Sequence, residues 1–196
     1  MTTSVEFFDK QFQQQVGEGE TELNPFEIAA LPHLRGRVLD FGCGLGVLSI
    51  KAARAGCSVL ALDASHAAIE HLRQVADRDA LAIEAHEVDL RNYRLEEEFD
   101  TVVSIGLLMF FDCPTALRQL AQLQSRLRPA GTAVVNVLVQ GTSYLDMFDD
   151  QGHCLFARDE LQKQFSGWDI LSHEWQDFAV SGKRIKSFAT IIARKP

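Results

Sequence analysis

A chain of 196 residues with 46% hydrophobic and 23% charged residues has the composition of a folded globular protein, which excludes disordered, collagen-like and coiled-coil chains. Its length falls within the single-domain range, so we predict one domain over residues 1–196. The net charge of -8 disfavours nucleic acid as a partner, because proteins bind nucleic acid largely by neutralising phosphates with lysine and arginine.

The N-terminal sequence and the cysteines bear on the cellular compartment. No basic segment is followed by an apolar one, and no apolar stretch is long enough to cross a bilayer, so we predict a cytoplasmic protein without a membrane partner. Four widely spaced cysteines, Cys43, Cys57, Cys113 and Cys154, include no CxxC pair. We therefore expect no metal site and no disulfide, with reduced thiols at all four positions.

The N-terminal segment predicts two helices that precede the body of the domain. Phe8 and Phe12 stand four residues apart and share one face of the first helix. A polar stretch over residues 11–22 predicts a flexible connection, and a second short helix follows it. The predicted division is a helical cap over residues 1–34 and a sheet body over residues 35–196.

Beyond residue 36, apolar runs typical of strands alternate with helical patterns. One helix is opened by Ser65 as its N-cap and another begins at Pro114. The alternation predicts an α/β fold, a Rossmann-like doubly wound sheet that is mostly parallel and ends in an antiparallel hairpin. The predicted strands are 38–39, 58–62, 81–88, 99–105, 132–139, 168–175 and 185–193, and the helix after Pro114 carries Leu117, Leu120, Ala121 and Leu127 as its apolar stripe.

The most informative motif is VLDFGCGLG over residues 38–46, a strand that ends in an acid and three alternate glycines. Glycines let the backbone turn sharply and let a ligand approach, and the helix that follows offers free N–H groups to a carboxylate. The spacing differs from the G-x-G-x-x-G of dinucleotide sites, and an acid here would repel a pyrophosphate but attract an ammonium group. The motif predicts a zwitterionic amino-acid ligand at Asp40, Gly42, Cys43, Gly44 and Gly46.

Polar residues also follow the next three predicted strands. Asp63 ends the second strand, where a carboxylate can accept both hydroxyls of a ribose. Asp89 follows the third strand, where it can accept a hydrogen bond from an exocyclic amine such as that of adenine. Together these positions predict a nucleoside site formed by Asp63, Ala64, Asp89, Leu90 and Ser104.

The glycine motif, combined with acids after strands two and three, resembles the class I S-adenosylmethionine-dependent methyltransferases. This resemblance implies a seven-stranded sheet whose last strand is antiparallel. It also implies S-adenosyl-L-methionine as the cofactor and S-adenosyl-L-homocysteine as the product. Residues 40–46 would surround the methionine part, Asp63 would contact the ribose and Asp89 would lie near the adenine.

Segments outside the cofactor loops resemble the TehB family of tellurite-resistance methyltransferases. They are LMFF over residues 108–111, residues 156–168 and GKRIKSFAT over residues 182–190. The segment FFDK over residues 7–10 is similar to an N-terminal segment with which that family helps to cover the cofactor. The resemblance implies a soft chalcogen oxyanion or another small nucleophile as the methyl acceptor.

The acceptor side departs from that family at Gln176 and Asp177, where His-Arg is usual, although the matching Arg184 is present. We predict that Arg184 binds an anionic acceptor through its forked guanidinium, and the alternative is a surface arginine in a solvated ion pair. The predicted acceptor pocket consists of Met109, Phe110 and Phe111, and the alternative is that these residues belong in part to the core.

No strong general base emerges from the sequence, which favours an acceptor that is already nucleophilic, such as an oxyanion or a thiol. The predicted function is therefore methyl transfer to a small-molecule acceptor by a monomer or homodimer. One alternative is a protein that binds S-adenosylmethionine without catalysis. Another is a nucleotide-dependent oxidoreductase, which the glycine spacing disfavours.

Overall fold

The computed structural model describes residues 4–18, 22–148 and 152–196. Seven strands in it form one mixed sheet, and their bounds are β1 Arg37–Phe41, β2 Ser58–Asp63, β3 Ile83–Glu87, β4 Phe99–Ile105, β5 Leu127–Leu138, β6 Asp169–Val180 and β7 Arg184–Arg194. The strand order is β3-β2-β1-β4-β5-β7-β6, with parallel pairing from β3 to β5 and β7 antiparallel to both of its neighbours. This confirms the predicted Rossmann-like α/β sheet with an antiparallel last strand.

Helices flank the sheet, and polar side chains begin several of them. Their bounds are α1 Ser4–Glu18, α2 Pro25–Ala30, α3 Val47–Arg54, α4 His66–Arg78, α5 Cys113–Ser125 and α6 Glu160–Gln164. The Ser65 hydroxyl accepts the Ala68 N–H and begins α4, as the sequence predicted. Asn24 and Glu27 form a capping box at the start of α2. Of the described helices, none has the length and apolar character needed to span a membrane.

The central strands are covered on both faces. Val135 and Val137 of β5 belong to the same core cluster as Leu120 of α5, whereas Val134 lies on the opposite face in a cluster with Leu48 of α3. Burial on both faces is the reason that β5 reads as a nearly continuous β-branched run. The helical layers thus fix the sheet and leave the loops after its strands to form a site at one edge.

Two local predictions were wrong. Residues 11–18 continue α1 instead of forming a flexible connection, because glutamine tolerates a helix and the Gln13 side chain donates to Asp9 one turn earlier; residues 19–21 of the predicted connection lie outside the described residues. The stripe of α5 also differs, since Ala121 is exposed and Leu127 belongs to β5. The helix ends at Ser125, before the proline and glycine that were expected to stop it.

The prediction of four reduced thiols was also wrong, because Cys113 and Cys154 form a disulfide. The two cysteines are 41 positions apart and meet only when the segment after β5 folds back against the turn after β4. There the Cys154 N–H donates to the Met109 carbonyl at 3.0 Å. Cys43 and Cys57 are free and buried.

Candidate functional site

A cavity of about 420 Å³ opens where the loops after β1, β2, β3 and β4 meet the inner face of α1. In the sheet, β1 lies between β2 and β4, so the chain order reverses at β1. Open α/β sheets bind ligands at the carboxyl edge of such a switch point. The fold therefore brings the predicted glycine loop and the predicted acids to one cavity.

The glycine loop forms the floor of this cavity. Gly44 has φ +51°, and a Cβ atom there would lie 3.2 Å from the Phe12 ring of α1. Gly46 has φ +72° at the start of α3, where a Cβ atom would lie 2.5 Å from the Leu72 side chain. Both positions require a left-handed backbone and little bulk, which is the reason for glycine at each.

Asp40 lies next to the carboxyl end of β1, lines the cavity and is only 5% exposed. The Ser49 hydroxyl donates to its carboxylate at 2.6 Å. Burial raises the pKa of Asp40 to about 7, and the nearby carboxylates of Glu27 and Asp63 also raise it. A cation beside Asp40 would relieve this unfavourable negative charge.

Asp63 ends β2 and connects the glycine loop to the start of α4. One carboxylate oxygen accepts the Gly44 N–H and the other accepts the Ser65 N–H, both at 2.9 Å. Burial raises the pKa of Asp63 although these hydrogen bonds favour its ionised form. The carboxylate thus shapes the loop and also lines the cavity.

The predicted adenine contacts lie at the far end of the cavity. Asp89 is exposed, and its side chain accepts hydrogen bonds from the Arg91 N–H at 3.1 Å and the Asn92 side-chain amide at 2.9 Å. Leu90 is buried, and Ala64 lines the cavity with both. Ser104 differs from the other predicted contacts, since it is fully buried in β4 and is not among the lining residues.

Helix α1 covers the cavity from above. Phe8 and Phe12 line it, as expected for the shared face. The Asp9 carboxylate accepts the Ser65 hydroxyl at 2.6 Å and the Ala67 N–H at 3.0 Å, and these hydrogen bonds lower the pKa of Asp9. The sequence analysis missed this contact of α1 with the N-terminus of α4, where a negative charge is favourable.

The wall after β4 is aromatic and apolar. Phe110 and Phe111 line the cavity together with Leu107. The Phe110 ring lies 5.1 Å from the Phe8 ring in an edge-to-face arrangement. Met109 is not among the lining residues, and it packs in an apolar cluster with Phe110, Leu138 and Met147.

The structure does not bring Arg184 to the cavity lining. Its guanidinium donates to both oxygens of Asp146 at 2.8 and 2.7 Å and lies 4.7 Å from the centre of the Tyr144 ring. Lys186 lies at the same distance from that ring, and burial lowers the pKa of its amine. The two cations are therefore held by the segment after β5.

The cavity carries more negative than positive groups. Among the described lining residues Arg91 is the lone lysine or arginine, and the acidic ones are Glu22, Glu27, Asp40, Asp63 and Asp89. Glu27 was also missed by the sequence analysis; burial raises its pKa, and its carboxylate influences Asp40. Within the described ranges no group of three metal-ligating side chains occurs. The excess of carboxylates suits a ligand with positive charge.

Comparison with known proteins gives one family match and several relatives. Residues 38–131 match the family model described as a methyltransferase domain. Hemagglutinin 1 of Eikenella corrodens is 28% identical over 170 residues, which cover 82% of this chain and 55% of that protein. The probable S-adenosyl-L-methionine-dependent methyltransferase TehB of Haemophilus influenzae is 27% identical over 166 residues, covering 81% of this chain and 57% of that protein. The chain thus spans a little over half the length of these curated relatives.

Solved structures share the whole architecture. The crystal structure of TehB from Haemophilus influenzae superposes with a TM-score of 0.80 at 21% identity, covering 93% of this chain and 65% of that one. The N-methyltransferase NodS of Bradyrhizobium japonicum, solved in complex with S-adenosyl-L-homocysteine, superposes with a TM-score of 0.71 at 18% identity. That match covers 96% of this chain and 98% of NodS.

Proposed function

We propose that this chain transfers a methyl group from S-adenosylmethionine to a small-molecule acceptor. Its match to a methyltransferase domain and its similarity to TehB, which its motifs predicted, support this proposal. The observation that supports this most is the acidic cavity at the switch point of the sheet, with Asp40 and Asp63 at the carboxyl ends of β1 and β2. The complex of NodS with S-adenosyl-L-homocysteine supports the choice of cofactor.

The residues of the cavity fit this cofactor. Asp40 is a buried carboxylate whose pKa is raised to about 7, and an ammonium group would supply the cation that it lacks. A Cβ atom at Gly44 would intrude into the narrow space below the Phe12 ring, which suits close approach of a ligand to the backbone. Asp63 would accept the ribose hydroxyls, and Asp89 and Leu90 would border the adenine.

The chain's own residues would act mainly by positioning. When bound, S-adenosylmethionine supplies an electrophilic methyl group on a positively charged sulfur. The carboxylates of Asp40 and Asp63 would bind the amino-acid and ribose parts of the cofactor, and Phe8 and Phe110 would exclude water from the acceptor side. Holding an acceptor at attack distance and in line can supply much of the rate enhancement of a displacement.

The proposal also concerns the chemical class of the small-molecule acceptor. The resemblance to TehB supports a chalcogen oxyanion, such as tellurite or selenite, or a thiol. An oxyanion would use Arg184, whose guanidinium is engaged by Asp146 outside the cavity lining. If an oxyanion binds Arg184, Arg184→Lys should raise the Michaelis constant for tellurite and leave cofactor affinity unchanged.

We also propose a helical cap over the cofactor, an oligomeric state and a cellular location for this chain. Contacts of Phe8, Phe12 and Asp9 support residues 1–34 as a cap over the cofactor, within one domain of residues 1–196. We retain a monomer or homodimer without a nucleic-acid or membrane partner. We also propose a cytoplasmic location, although the Cys113–Cys154 disulfide argues against it because disulfides are rare in the cytosol.

Titration calorimetry and radiolabelled methyl transfer test the proposal. We expect S-adenosylmethionine to bind and NADH not to bind, and labelled methyl to reach a small acceptor. Binding without transfer to any acceptor would favour the non-enzymatic alternative, and binding of NADH alone would favour the oxidoreductase. Asp63→Ala should weaken cofactor binding, whereas Asp169→Ala, an exposed acid at the start of β6, should not.

A further inference from the structure

We propose that the acceptor is an uncharged aromatic nitrogen heterocycle, methylated on its ring nitrogen to give a cation. This inference rests on the proposed function, because it takes S-adenosylmethionine as the methyl donor. The acceptor half of the cavity is the part formed by Phe8 of α1 and by the residues that follow β4, Leu107, Phe110 and Phe111. A cofactor held by the loops after β1, β2 and β3 would lie beside this half of the cavity.

The acceptor half has the surface of an aromatic binding site. Phe110 is 9% exposed and holds edge-to-face or tilted contacts with Phe8 and Phe148, each at 5.1 Å between ring centres. Phe148 in turn stacks on His153 at 4.4 Å. Rings fixed by their neighbours in this way favour a flat aromatic guest, which they can contact by edge or by face.

The same surface offers no general base. The four residues that define the acceptor half have apolar side chains, and the carboxylates that line the cavity lie on other segments of the chain. A thiol or hydroxyl acceptor has to lose its proton, whereas a pyridine-type nitrogen has a free lone pair at neutral pH. In the transfer, that lone pair forms the new nitrogen–carbon bond as the carbon–sulfur bond breaks and its electron pair stays on sulfur. No proton is released, and the positive charge moves from sulfur to nitrogen.

The charges of the cavity fit this movement of charge. Five of the residues that line the cavity are acidic, whereas Arg91 is the one lysine or arginine among the described lining residues. Carboxylates that stabilise a positive sulfur before transfer also stabilise a positive ring nitrogen after it, and the faces of Phe8 and Phe110 add a cation–π attraction. An anionic acceptor would meet repulsion from the carboxylates that line the cavity, and Arg184 is paired with Asp146 outside the lining.

Labelled methyl transfer to a small panel of acceptors tests the inference. The panel contains pyridine and isoquinoline, the thioether methyl phenyl sulfide, thiophenol, tellurite and selenite. We expect label on the heterocycles as N-methyl cations, identified by mass spectrometry, with no proton released per turnover in weakly buffered solution. Label on tellurite, selenite, thiophenol or the thioether alone, or one proton released per turnover, would overturn it.

Variants locate the acceptor on the aromatic wall. Phe110→Leu and Phe8→Leu should each raise the Michaelis constant for isoquinoline by about threefold to tenfold, and Phe110→Leu should leave the dissociation constant for S-adenosylmethionine unchanged. Phe178→Leu is the matched control, because Phe178 is an exposed aromatic residue on β6 outside the cavity lining. Phe8 lies on α1, so its variant remains informative if Phe110→Leu does not fold. An unchanged Michaelis constant in both variants overturns the inference.

The two proposals fail in different ways. If calorimetry detects no binding of S-adenosylmethionine, the proposed function is wrong. If the cofactor binds and its methyl group reaches only acceptors other than a heterocycle, the proposed function stands and the inference alone is wrong.

Discussion

Binding of S-adenosylmethionine should release a proton from Asp40. Burial raises the pKa of this carboxyl group to about 7 in the unliganded protein, so at pH 6 about nine molecules in ten are protonated there. An ammonium group beside Asp40 favours the carboxylate and lowers its pKa. We therefore expect release of nearly one proton per bound cofactor well below pH 7 and progressively less as the pH rises above 7.

Calorimetry in buffers of different ionisation enthalpy measures this number directly. Asp40→Asn should abolish the release, whereas Glu27→Gln, which changes the neighbouring carboxyl group, should retain most of it. Absence of release at pH 6 in the unmodified protein, or equal release in Asp40→Asn, would refute the assignment of the ammonium group to Asp40.

The raised pKa of Asp40 also affects stability. A carboxyl group whose pKa is higher in the folded state stabilises the fold while it is protonated, and this contribution is lost as the pH rises. The pKa of Asp40 rises from its ordinary value of 3.8 to about 7. At about 1.4 kcal/mol per pKa unit, this rise corresponds to about 4 kcal/mol in the free energy of unfolding. The free energy of unfolding of the unliganded protein should fall over this pH range, and less so in Asp40→Asn.

Three further predictions concern the loop, the ribose contact and the disulfide. Asp63→Ala should weaken cofactor binding by about 1 to 3 kcal/mol, because the ribose loses a charged acceptor; equal calorimetric affinity of the folded variant would contradict this. Gly44→Val should abolish cofactor binding, since φ is +51° and an aromatic ring of α1 lies 3.2 Å from the new Cβ. Gly167→Val, at another left-handed position but with open space around it, is the control and should keep its affinity. The double variant Cys113→Ser, Cys154→Ser should have a free energy of unfolding lower by about 4 kcal/mol, because the disulfide closes a loop of 41 positions. An unchanged denaturation midpoint would argue against a stabilising disulfide.

The parts of the fold that the sequence predicted well are those set by local pattern. The β-branched run of β5 and the serine at the start of α4 express burial and capping within a few residues of chain. The glycine loop could be assigned for the same reason, because Gly44 and Gly46 are required by the backbone itself.

The contacts that the sequence did not predict join residues far apart in the chain. Cys113 and Cys154 meet across 41 positions, and Asp9 meets Ser65 across 56. Periodicity and spacing report on neighbours within a helix or strand and contain no information about such pairs. The partner of Arg184 belongs to the same class, since Asp146 lies 38 positions away.

The contacts of Ser65 have a consequence for the speed of the reaction. Its hydroxyl begins α4 and donates to Asp9 of α1, while its N–H donates to Asp63, so one residue links the covering helix to the ribose contact. Under the proposed function, a nucleoside bound between α1 and Asp63 would leave only after α1 moves away from α4. Lid motions of this kind take microseconds to milliseconds, and in many enzymes they limit turnover.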